Sequence, residues 1–297
     1  MAAFKSGFVS IIGSPNAGKS TIMNAFVGQK VSIVSSKAQT TRNRVLGVLT
    51  RKTHQIVFID TPGIITPKNK LGEYMLKVAY ESINEVEVIL FIIDASKGIG
   101  ARDEAIIQRL KKAKAPIIAV INKIDIASMA DVDVINARLD TEGIFKERVR
   151  LSALMGDGLD RLEQTILGHF EQGPMYFPED MVTDVPERVI CGEFIREKAL
   201  GLLKQEIPHG IGVYIDKMSQ RDDGIFDIWA TIYCERDSHK GIIIGKQGSM
   251  LKRIGSEARH EMEWMLGTKV NLTLWVKVKS DWRNSLGIMT ELGYSEK

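Results

Sequence analysis

An eight-residue run near the start of the chain has the composition of a phosphate-binding loop. GSPNAGKS, from Gly13 to Ser20, fits GxxxxGK[ST] and follows the strand-like apolar run SGFVSIIG. Its glycines let the backbone curl so that N–H groups point at phosphate oxygens. Lys19 would neutralise the β and γ phosphates, and the Ser20 hydroxyl would bind Mg²⁺. A glycine-rich turn that binds no ligand is the alternative. It is disfavoured because a strand-like run precedes GSPNAGKS and helical spacing follows it.

A second motif, DTPG, follows the predicted strand QIVFI. In open parallel sheets ligands bind at the carboxyl ends of strands, so Asp60 is predicted to be a Mg²⁺ carboxylate. Gly63 would donate its N–H to a γ-phosphate. Alone, DTPG is an ordinary turn, and only the neighbouring phosphate loop favours this role.

A third motif, NKID, ends the strand PIIAVI and indicates which base is bound. Asp125 can accept two hydrogen bonds from guanine N1 and N2, which adenine does not offer, so the site selects GTP over ATP. Lys123 would lie along the base, and Asn122 would tie this loop to the phosphate loop. Ser152 and Ala153 would supply a backbone donor to guanine O6. Taken singly, NKID also fits a helix cap at Asp125.

Together these motifs give the predicted GTP-binding residues. They are Gly13, Ser14, Pro15, Asn16, Ala17, Gly18, Lys19, Ser20, Thr21, Asp60, Thr61, Pro62, Gly63, Asn122, Lys123, Ile124, Asp125, Ser152 and Ala153.

The second half of the chain contains GKQG, from Gly245 to Gly248, which fits the GxxG loop of a KH module. Alone, GxxG is more often a joint between helices. Here the helix-strand-strand-helix-helix-strand order favours a type II KH domain that binds single-stranded RNA. The glycines would admit an RNA backbone, the preceding isoleucines would form an apolar floor for bases, and nearby cations would contact phosphates. The predicted RNA-binding residues are Ile242, Ile243, Ile244, Gly245, Lys246, Gln247, Gly248, Lys252, Arg253 and Arg259.

Four tryptophans lie in the same half of the chain and are candidate base-stacking platforms. Their alternation with apolar neighbours favours core packing for most of them. They are Trp229, Trp264, Trp275 and Trp282.

Two domains are needed to position these motifs. Apolar runs such as VFID, VILFIID and PIIAVIN alternate with helical spacing, which predicts a doubly wound, mostly parallel α/β sheet over residues 1–170. Residues 171–187 carry three of the eight prolines and are predicted to be a linker. Residues 188–297 are predicted to form a smaller α+β domain.

Composition excludes several classes of protein. With 297 residues, 44% hydrophobic and 26% charged, the chain is typical of two globular domains and not of disordered or fibrous proteins. We see neither a membrane-spanning run nor a signal peptide. Cys191 and Cys234 are expected to be core thiols in a reducing cytoplasm, and the five histidines form no zinc motif. The net charge of +3 does not indicate nucleic-acid binding, and the basic blocks at 30–52 and 240–259 also fit solvated faces.

The order of GKS, a threonine-rich segment, DTPG, NKID and SA resembles the translation-factor-like GTPases. The whole chain is similar to those members that carry a C-terminal type II KH domain, through GQKVSIVSSKAQTTRNR, IREKALGLLKQEIPH, IIIGKQGSMLKRIGSEAR and LWVKVKSDWRN. The resemblance implies that KAQTTR is the effector loop, where Thr41, or alternatively Thr40, ligates Mg²⁺. The implied metal ligands are Ser20, Thr41 and Asp60, and the implied catalytic residues are Lys19, Thr41 and Gly63.

The resemblance also implies a function: a cytoplasmic GTP-hydrolysing switch that binds the 3′ end of small-subunit ribosomal RNA in assembly of the small ribosomal subunit. It further implies a monomer that associates peripherally with the inner face of the cell membrane. Ser14 departs from the arginine that relatives often carry, outside the phosphate cradle. Ile64 stands where Ras-like GTPases place a catalytic glutamine, and Ile65 follows it. Neither side chain can hydrogen-bond the attacking water, so turnover should be slow.

Three questions stay open at this point. Relatives without the glutamine that carry asparagine at the position of Asn16 include potassium-activated enzymes, so K⁺ is a second candidate cofactor; alternatively Asn16 only caps the loop. A GTP-gated RNA-binding scaffold with negligible turnover is the competing function. An ATP-using small-molecule kinase is opposed by NKID.

Overall fold

The structure of the chain, a computed structural model, describes residues 3–35, 37, 39–64, 66–84, 86–204 and 207–295. These residues divide into two compact units. Unit 1 comprises residues 1–32, 38–66 and 75–184, and unit 2 comprises residues 33–37, 67–74 and 185–297. Within the described ranges, no helix combines the length and apolar character that crossing a bilayer requires.

Unit 1 is built on a sheet whose strands alternate with helices along the chain. The strands are β1 (Lys5–Gly13), β2 (Val45–Arg51), β3 (His54–Asp60), β4 (Val88–Asp94), β5 (Ile117–Asn122) and β6 (Phe145–Leu151). The helices are α1 (Lys19–Val27), α2 (Lys70–Glu81), α3 (Ala101–Leu110), α4 (Met129–Asp140) and α5 (Leu159–Gly168), of which α2 begins in the 67–74 segment of unit 2.

The strand order is β2-β3-β1-β4-β5-β6, and every neighbouring pair is parallel except β2 with β3. The predicted mostly parallel, doubly wound sheet is therefore confirmed. Successive strand residues point to opposite sides of the sheet, and because successive residues here are apolar and buried, both faces of the sheet are apolar. Ile11 and Ile12, for example, are both fully buried but pack in different apolar clusters. This placement brings the carboxyl ends of β1, β3, β4 and β5 to one edge of the sheet.

Most of the predicted linker is bound to unit 1. The Val48 N–H on β2 donates to Val182 O at 2.9 Å, and the Gln55 side chain accepts from the N–H groups of Tyr176 (2.8 Å) and Phe177 (3.0 Å). Prolines and a lack of periodicity mark extended chain, but they do not tell a free tether from one that pairs with a sheet edge. The change of unit falls between residues 184 and 185.

Unit 2 has helices on one face of a second sheet. Its main elements are α6 (Glu187–Leu202), β7 (Gly212–Gln220), β8 (Phe226–Cys234), α7 (Asp237–Ile244), α8 (Ser249–Leu266), β9 (Val270–Val278) and α9 (Leu286–Glu291). The strand order is β7-β8-β9, antiparallel and then parallel. The predicted order of helices and strands is confirmed. Cys191 and Cys234 are buried, and burial raises the pKa of the Cys191 thiol to about 12.

Candidate functional site

The phosphate loop joins β1 to α1 and depends on close backbone packing. Gly18 has a left-handed φ of 103°, and a Cβ there would lie 2.1 Å from Asn122 Nδ2. A Cβ on Gly13 would lie 2.6 Å from the carbonyl oxygen of Ile92. Both positions therefore require glycine. The Lys19 ammonium donates to the carbonyl oxygens of Gly13 and Ser14, each at 3.0 Å, which holds its charge over the loop.

Three hydroxyl groups converge on one carboxylate beside this loop. Asp60 is fully buried at the end of β3, and its Oδ2 accepts hydrogen bonds from Ser20 Oγ at 2.6 Å and Thr41 Oγ1 at 3.4 Å. Ser20 Oγ and Thr41 Oγ1 are 3.0 Å apart. The three residues predicted to bind metal are thus brought together, although they come from different parts of the chain.

This oxygen cluster fits Mg²⁺. Among the described residues, nothing donates a hydrogen bond to the buried Asp60 Oδ1. A buried carboxylate oxygen left in this way costs free energy unless a cation or donor satisfies it. Hydroxyl and carboxylate oxygens are the ligands Mg²⁺ prefers, with water and phosphate oxygens completing the octahedron. Ser20, Thr41 and Asp60 would hold the ion directly or through its waters.

The third hydroxyl belongs to Ser32, which sequence reasoning missed. Ser32 Oγ donates to Asp60 Oδ2 at 2.9 Å. Asn24 on α1 holds Ser32 in place: Asn24 Oδ1 accepts the N–H groups of Val31 (3.1 Å) and Ser32 (3.0 Å), and Asn24 Nδ2 donates to Ser32 O at 2.7 Å. No local pattern marks Ser32, since its role arises only when the loop after α1 folds back over β3.

Burial dominates the electrostatics of the site. It raises the pKa of Asp60, while the Lys19 charge and hydrogen bonds from Ser20, Ser32 and Thr41 act in the opposite direction. Burial also lowers the pKa of Lys19 to about 8, against the attraction of Asp60 and Asp103. Each charge is therefore poorly solvated and stabilised by its neighbour. A triphosphate with a divalent cation would supply both with closer partners.

The NKID loop and the SA loop meet the phosphate loop through one side-chain amide. Asn122 Nδ2 donates to Ala17 O at 2.8 Å, and Asn122 Oδ1 accepts the Ala153 N–H at 3.0 Å. The buried Asn122 thus ties three loops together. Asp125 lies exposed beyond it, and α4 is capped by Ser128 and Asp131, so Asp125 is not the cap of that helix.

Asp94 is a second residue that sequence reasoning missed. It lies at the end of β4, and its Oδ2 accepts from Lys123 Nζ at 2.6 Å. Burial opposes ionisation of Asp94, but hydrogen bonds from Lys123 and Ser96 and the Lys123 charge leave its pKa below the usual value. Lys123 has a left-handed φ of 67°, which is unusual for a residue other than glycine. The ion pair with Asp94 helps to stabilise this backbone conformation.

The remaining predicted residues surround these groups. Ser14 Oγ donates to Asp103 Oδ1 on α3 at 2.6 Å, so this departure from the family pattern has a local partner. A Cβ on Gly63 would lie 3.0 Å from Pro15 Cα, so the second motif packs closely on the phosphate loop. Ile64 is buried in the apolar cluster that contains Ile12, and Ile65 lies outside the described residues.

Other predicted residues have structural contacts nearby. Thr21 is on α1, Pro62 is buried, and Asn16 has a left-handed φ of 66°. Thr61 Oγ1 donates to Ile11 O at 2.8 Å, and the N–H of Ile124 donates to Leu151 O at 3.4 Å. The Ser152 N–H donates to Asp157 O at 3.0 Å.

A groove of about 470 Å³ lies between α8 and β9 in unit 2. The GxxG loop stands at its end: Gly245 and Gly248 have left-handed φ values of 73° and 77°, and a Cβ on Gly245 would lie 2.7 Å from Met250 Cβ. Lys246 and Gln247 are exposed on the loop. The groove is lined by Gly248, Leu251, Lys252, Gly255, Ser256, Arg259, Val270, Asn271, Leu272 and Leu274.

One prediction about this groove was wrong. The isoleucines do not form its floor: Ile243 is fully buried in the unit 2 core, Ile244 packs against that core, and Ile242 is exposed. Consecutive helical residues point about 100° apart, so three in a row cannot share one surface. Leucines of α8 and β9 line the groove instead. Among the cations, Lys252 and Arg259 line it, whereas Arg253 Nε donates to Glu257 at 2.9 Å.

The prediction of core packing was wrong for three of the four tryptophans. Trp282 is fully buried, and its Nε1 donates to Gly210 O at 2.9 Å. Trp229, Trp264 and Trp275 are 38%, 67% and 47% exposed. In the strands, alternation of apolar residues places Trp229 and Trp275 on the sheet face opposite the core, so apolar neighbours in the sequence do not imply burial.

The two units correspond to two known domain families. Residues 8–123 match the family model described as a 50S ribosome-binding GTPase, and residues 206–283 match the KH domain model. The nucleotide loops fall in the first match, apart from the SA loop and the end of NKID, and the GxxG loop falls in the second. The chain is therefore a P-loop GTPase with a C-terminal KH domain.

Relatives that match over the whole chain define the family further. GTPase Era of Clostridioides difficile is 55% identical over 297 residues, covering 99% of this chain and 100% of that protein. GTPase Era of Ruminiclostridium cellulolyticum is 52% identical, covering 98% of each chain. A solved structure of Era in complex with MgGDPNP and nucleotides 1506–1542 of 16S ribosomal RNA has a TM-score of 0.95 at 44% identity, over 99% of this chain and 100% of that one. This chain belongs to the Era family of GTPases.

The contact between Ser32 and Asp60 generates a prediction for the nucleotide site. Ser32→Ala removes one hydrogen bond that orients the buried carboxylate, and such outer contacts typically change metal affinity by 10–100-fold. We expect the Mg²⁺ concentration needed for half-maximal GTP binding to rise about tenfold, measured by titrating Mg²⁺ at fixed labelled nucleotide.

Ser10→Ala is the matched control, because Ser10 is also buried but shares its hydrogen bond with Ser82, at 3.1 Å, instead of with Asp60. Both variants should lose about 1 kcal/mol of unfolding free energy. An equal Mg²⁺ requirement in the two variants would show that Ser32 has no role in the metal site.

Proposed function

We propose that this protein hydrolyses GTP with Mg²⁺ and binds the 3′ end of small-subunit ribosomal RNA during assembly of the small ribosomal subunit. The observation that most supports GTP hydrolysis with Mg²⁺ is the convergence of Ser20 and Thr41 on the buried Asp60 beside Lys19. The groove between α8 and β9 supports the RNA half. The Era structure solved with MgGDPNP and a 16S ribosomal RNA fragment supports both.

Hydrolysis requires the γ-phosphate to be held and its developing charge neutralised. Lys19 would bind the β and γ phosphates, Gly63 would donate its N–H to the γ-phosphate, and Thr41 would close the effector loop over it. Mg²⁺, when bound, would neutralise phosphate charge. Because Ile64 is buried and apolar, no side chain at that position orients the attacking water. We therefore propose a slow intrinsic rate that depends on clamping of the phosphates.

The competing function is a GTP-gated RNA-binding scaffold with negligible turnover, favoured by Ile64. Single-turnover hydrolysis with and without RNA separates the two functions. Measurable GDP formation that RNA accelerates supports the GTPase, whereas GTP that stays intact in both conditions supports the scaffold.

Guanine selection by Asp125 is tested by Asp125→Asn. The amide presents a mismatched partner to guanine N1 and N2, and hydrogen bonds to a charged group are worth about 1.5–3 kcal/mol. We expect GTP affinity to fall about 100-fold or more, with preference shifting towards xanthosine triphosphate. Asp133→Asn, at an exposed position on α4, is the control and should bind GTP like the parent. Unchanged guanine selectivity in Asp125→Asn would mean that the base is read elsewhere.

K⁺ is proposed as a second cofactor. Asn16 belongs to the GSPNAGKS run and has a left-handed φ of 66°, and its side-chain oxygen would join phosphate oxygens around a monovalent ion. Such an ion would supply part of the charge stabilisation that Ras-like enzymes obtain from other groups. We expect faster GTP hydrolysis in K⁺ than in Na⁺, and loss of this difference in Asn16→Ala. Equal rates in the two salts would remove K⁺ from the mechanism.

Two short segments support coupling between nucleotide state and RNA binding. Residues 33–37, which follow Ser32, and residues 67–74, which follow the DTPG motif, belong to unit 2. Ile33 is buried in the unit 2 core, and the Val34 N–H donates to Glu197 Oε1 on α6 at 2.8 Å. Chain next to the predicted effector loop and chain that follows the DTPG motif are therefore part of the RNA-binding unit.

RNA binding by the GxxG loop is tested by Gly248→Asp. A carboxylate at this position repels phosphates and obstructs the groove. RNA affinity should fall at least about tenfold with a shallower salt dependence, guanine-nucleotide affinity should be unchanged, and any RNA stimulation of hydrolysis should disappear.

Gly267→Asp is the matched control for this variant. Gly267 ends α8 as Gly248 begins it, both have left-handed φ values, and no described atom lies within 4 Å of a Cβ at either position. The two variants should therefore share the same backbone strain, but only Gly248 lines the groove. If Gly248→Asp binds RNA like Gly267→Asp, the loop is only a joint between helices.

Three further statements remain predictions. They are a cytoplasmic location, a monomeric state and peripheral contact with the inner face of the cell membrane. Sedimentation of the purified protein tests the second, and flotation with anionic vesicles tests the third.

A further inference from the structure

The sheet of unit 2 has a second surface, opposite its core, that carries aromatic and basic side chains. We define the outer sheet face by Lys217 on β7, Trp229 on β8, and Thr273, Trp275 and Lys277 on β9. Trp229 and Trp275 are 38% and 47% exposed. The groove between α8 and β9 does not include these residues within the described part of the chain.

The strand register fixes the separation of the two tryptophans. Trp229 pairs with Thr273, and Thr231 pairs with Trp275, so the tryptophans are diagonal neighbours on adjacent parallel strands. A strand spacing of about 4.8 Å and a rise of about 3.3 Å per residue place their Cα atoms about 8 Å apart. Stacked bases rise only about 3.4 Å. Two bases resting on these rings would therefore be splayed apart, as single-stranded RNA allows and a duplex does not.

The charges around the two rings favour an anionic strand. Lys217 Nζ lies 4.8 Å from the centre of the Trp229 ring, and Lys277 is exposed two residues beyond Trp275. The acid nearest along β8, Asp227, is paired with Arg221 at 2.6 Å and accepts from Asn271 at 2.8 Å. Asp216 accepts from Thr231 Oγ1 at 2.8 Å and is the acidic group that such a strand would have to avoid.

The outer sheet face is continuous with the groove. β9 is the edge strand, and Asn271 both lines the groove and lies on the same strand face as Thr273 and Trp275. From Asn271 to Trp275 the strand advances about 13 Å. Trp229 is level with Thr273 and therefore nearer to Asn271, so an RNA chain leaving the groove past Asn271 would meet Trp229 first and Trp275 next.

We propose that the outer sheet face is a second binding site for single-stranded RNA, where Trp275 and Trp229 stack bases adjacent to the segment held by the groove. This inference rests on the proposed RNA-binding function. Exposed aromatic rings on neighbouring strands are a general means of binding unstacked bases, and such stacking tolerates sequence differences. The site therefore lengthens the RNA footprint beyond the four or so nucleotides that a GxxG groove holds.

The test compares two lengths of the same RNA, from the 3′ end of small-subunit ribosomal RNA, by fluorescence anisotropy with the full chain. One RNA has about four nucleotides, for the groove alone, and the other about ten, for both surfaces. Trp229→Ala and Trp275→Ala should each weaken binding of the long RNA at least about fivefold. Binding of the short RNA should be unchanged in both.

Two further variants separate stacking from folding. Trp264→Ala is the matched control, because Trp264 is 67% exposed on α8, outside the outer sheet face, and should leave both affinities unchanged. Trp275→Tyr keeps an aromatic ring and should restore most of the long-RNA affinity that Trp275→Ala loses.

Each contrary outcome overturns the proposal. Parent-like binding of the long RNA by a variant that combines Trp229→Ala with Trp275→Ala would show that no base stacks on the outer sheet face. Equal loss for both RNAs would show that the tryptophans only shape the groove. Unchanged RNA binding with lost sedimentation on small ribosomal subunits would assign the face to a protein partner. A failure of the proposed RNA-binding function of the groove is distinguished by a different result. In that case Gly248→Asp would bind the short RNA like the parent protein.

Discussion

A carboxylate buried without a full set of partners is the constraint on which the nucleotide unit depends. Asp60 lies at the end of a fully buried strand, and Ser20, Ser32 and Thr41 approach the same one of its two oxygens. Moving an ionised carboxylate out of water is costly unless charge and hydrogen bonds compensate. The effector segment, the loop held by Asn24 and the phosphate loop are arranged around this charge. The hydrogen bonds compensate part of the cost of burying this carboxylate, and a bound cation would compensate the rest.

The two units offer different physical means of binding phosphate groups. In unit 1, Lys19 and the loop N–H groups lie at the carboxyl edge of a parallel sheet, where Asn122 ties the base loop and the phosphate loop together. Hydrogen bonds between the loops fix this geometry, as selection of one nucleotide requires. In unit 2, glycines with left-handed backbone open the end of a leucine-lined groove, and exposed cations border it. That surface suits a flexible chain whose bases can be turned outward.

Local motifs made the nucleotide site and both folds predictable from the sequence. The residues of GSPNAGKS, DTPG and NKID lie at strand ends, so the topology of a parallel sheet alone brings them together. Ser32 and Asp94 could not be found this way, because their roles depend on contacts between distant segments. The isoleucines before the GxxG loop and the strand tryptophans were misassigned for a related reason: apolar sequence reports the chance of burial, but not which face of a helix or sheet a side chain occupies.

The most direct test of the central role of Asp60 is the Mg²⁺ dependence of nucleotide binding in Asp60→Asn. The asparagine keeps the shape of the side chain and removes the buried charge. In the parent protein, affinity for a non-hydrolysable GTP analogue should fall about 10–100-fold when Mg²⁺ is chelated. In Asp60→Asn the affinity should be nearly the same with and without Mg²⁺. If the variant kept the full Mg²⁺ enhancement, the buried carboxylate would not be the group around which the site is organised.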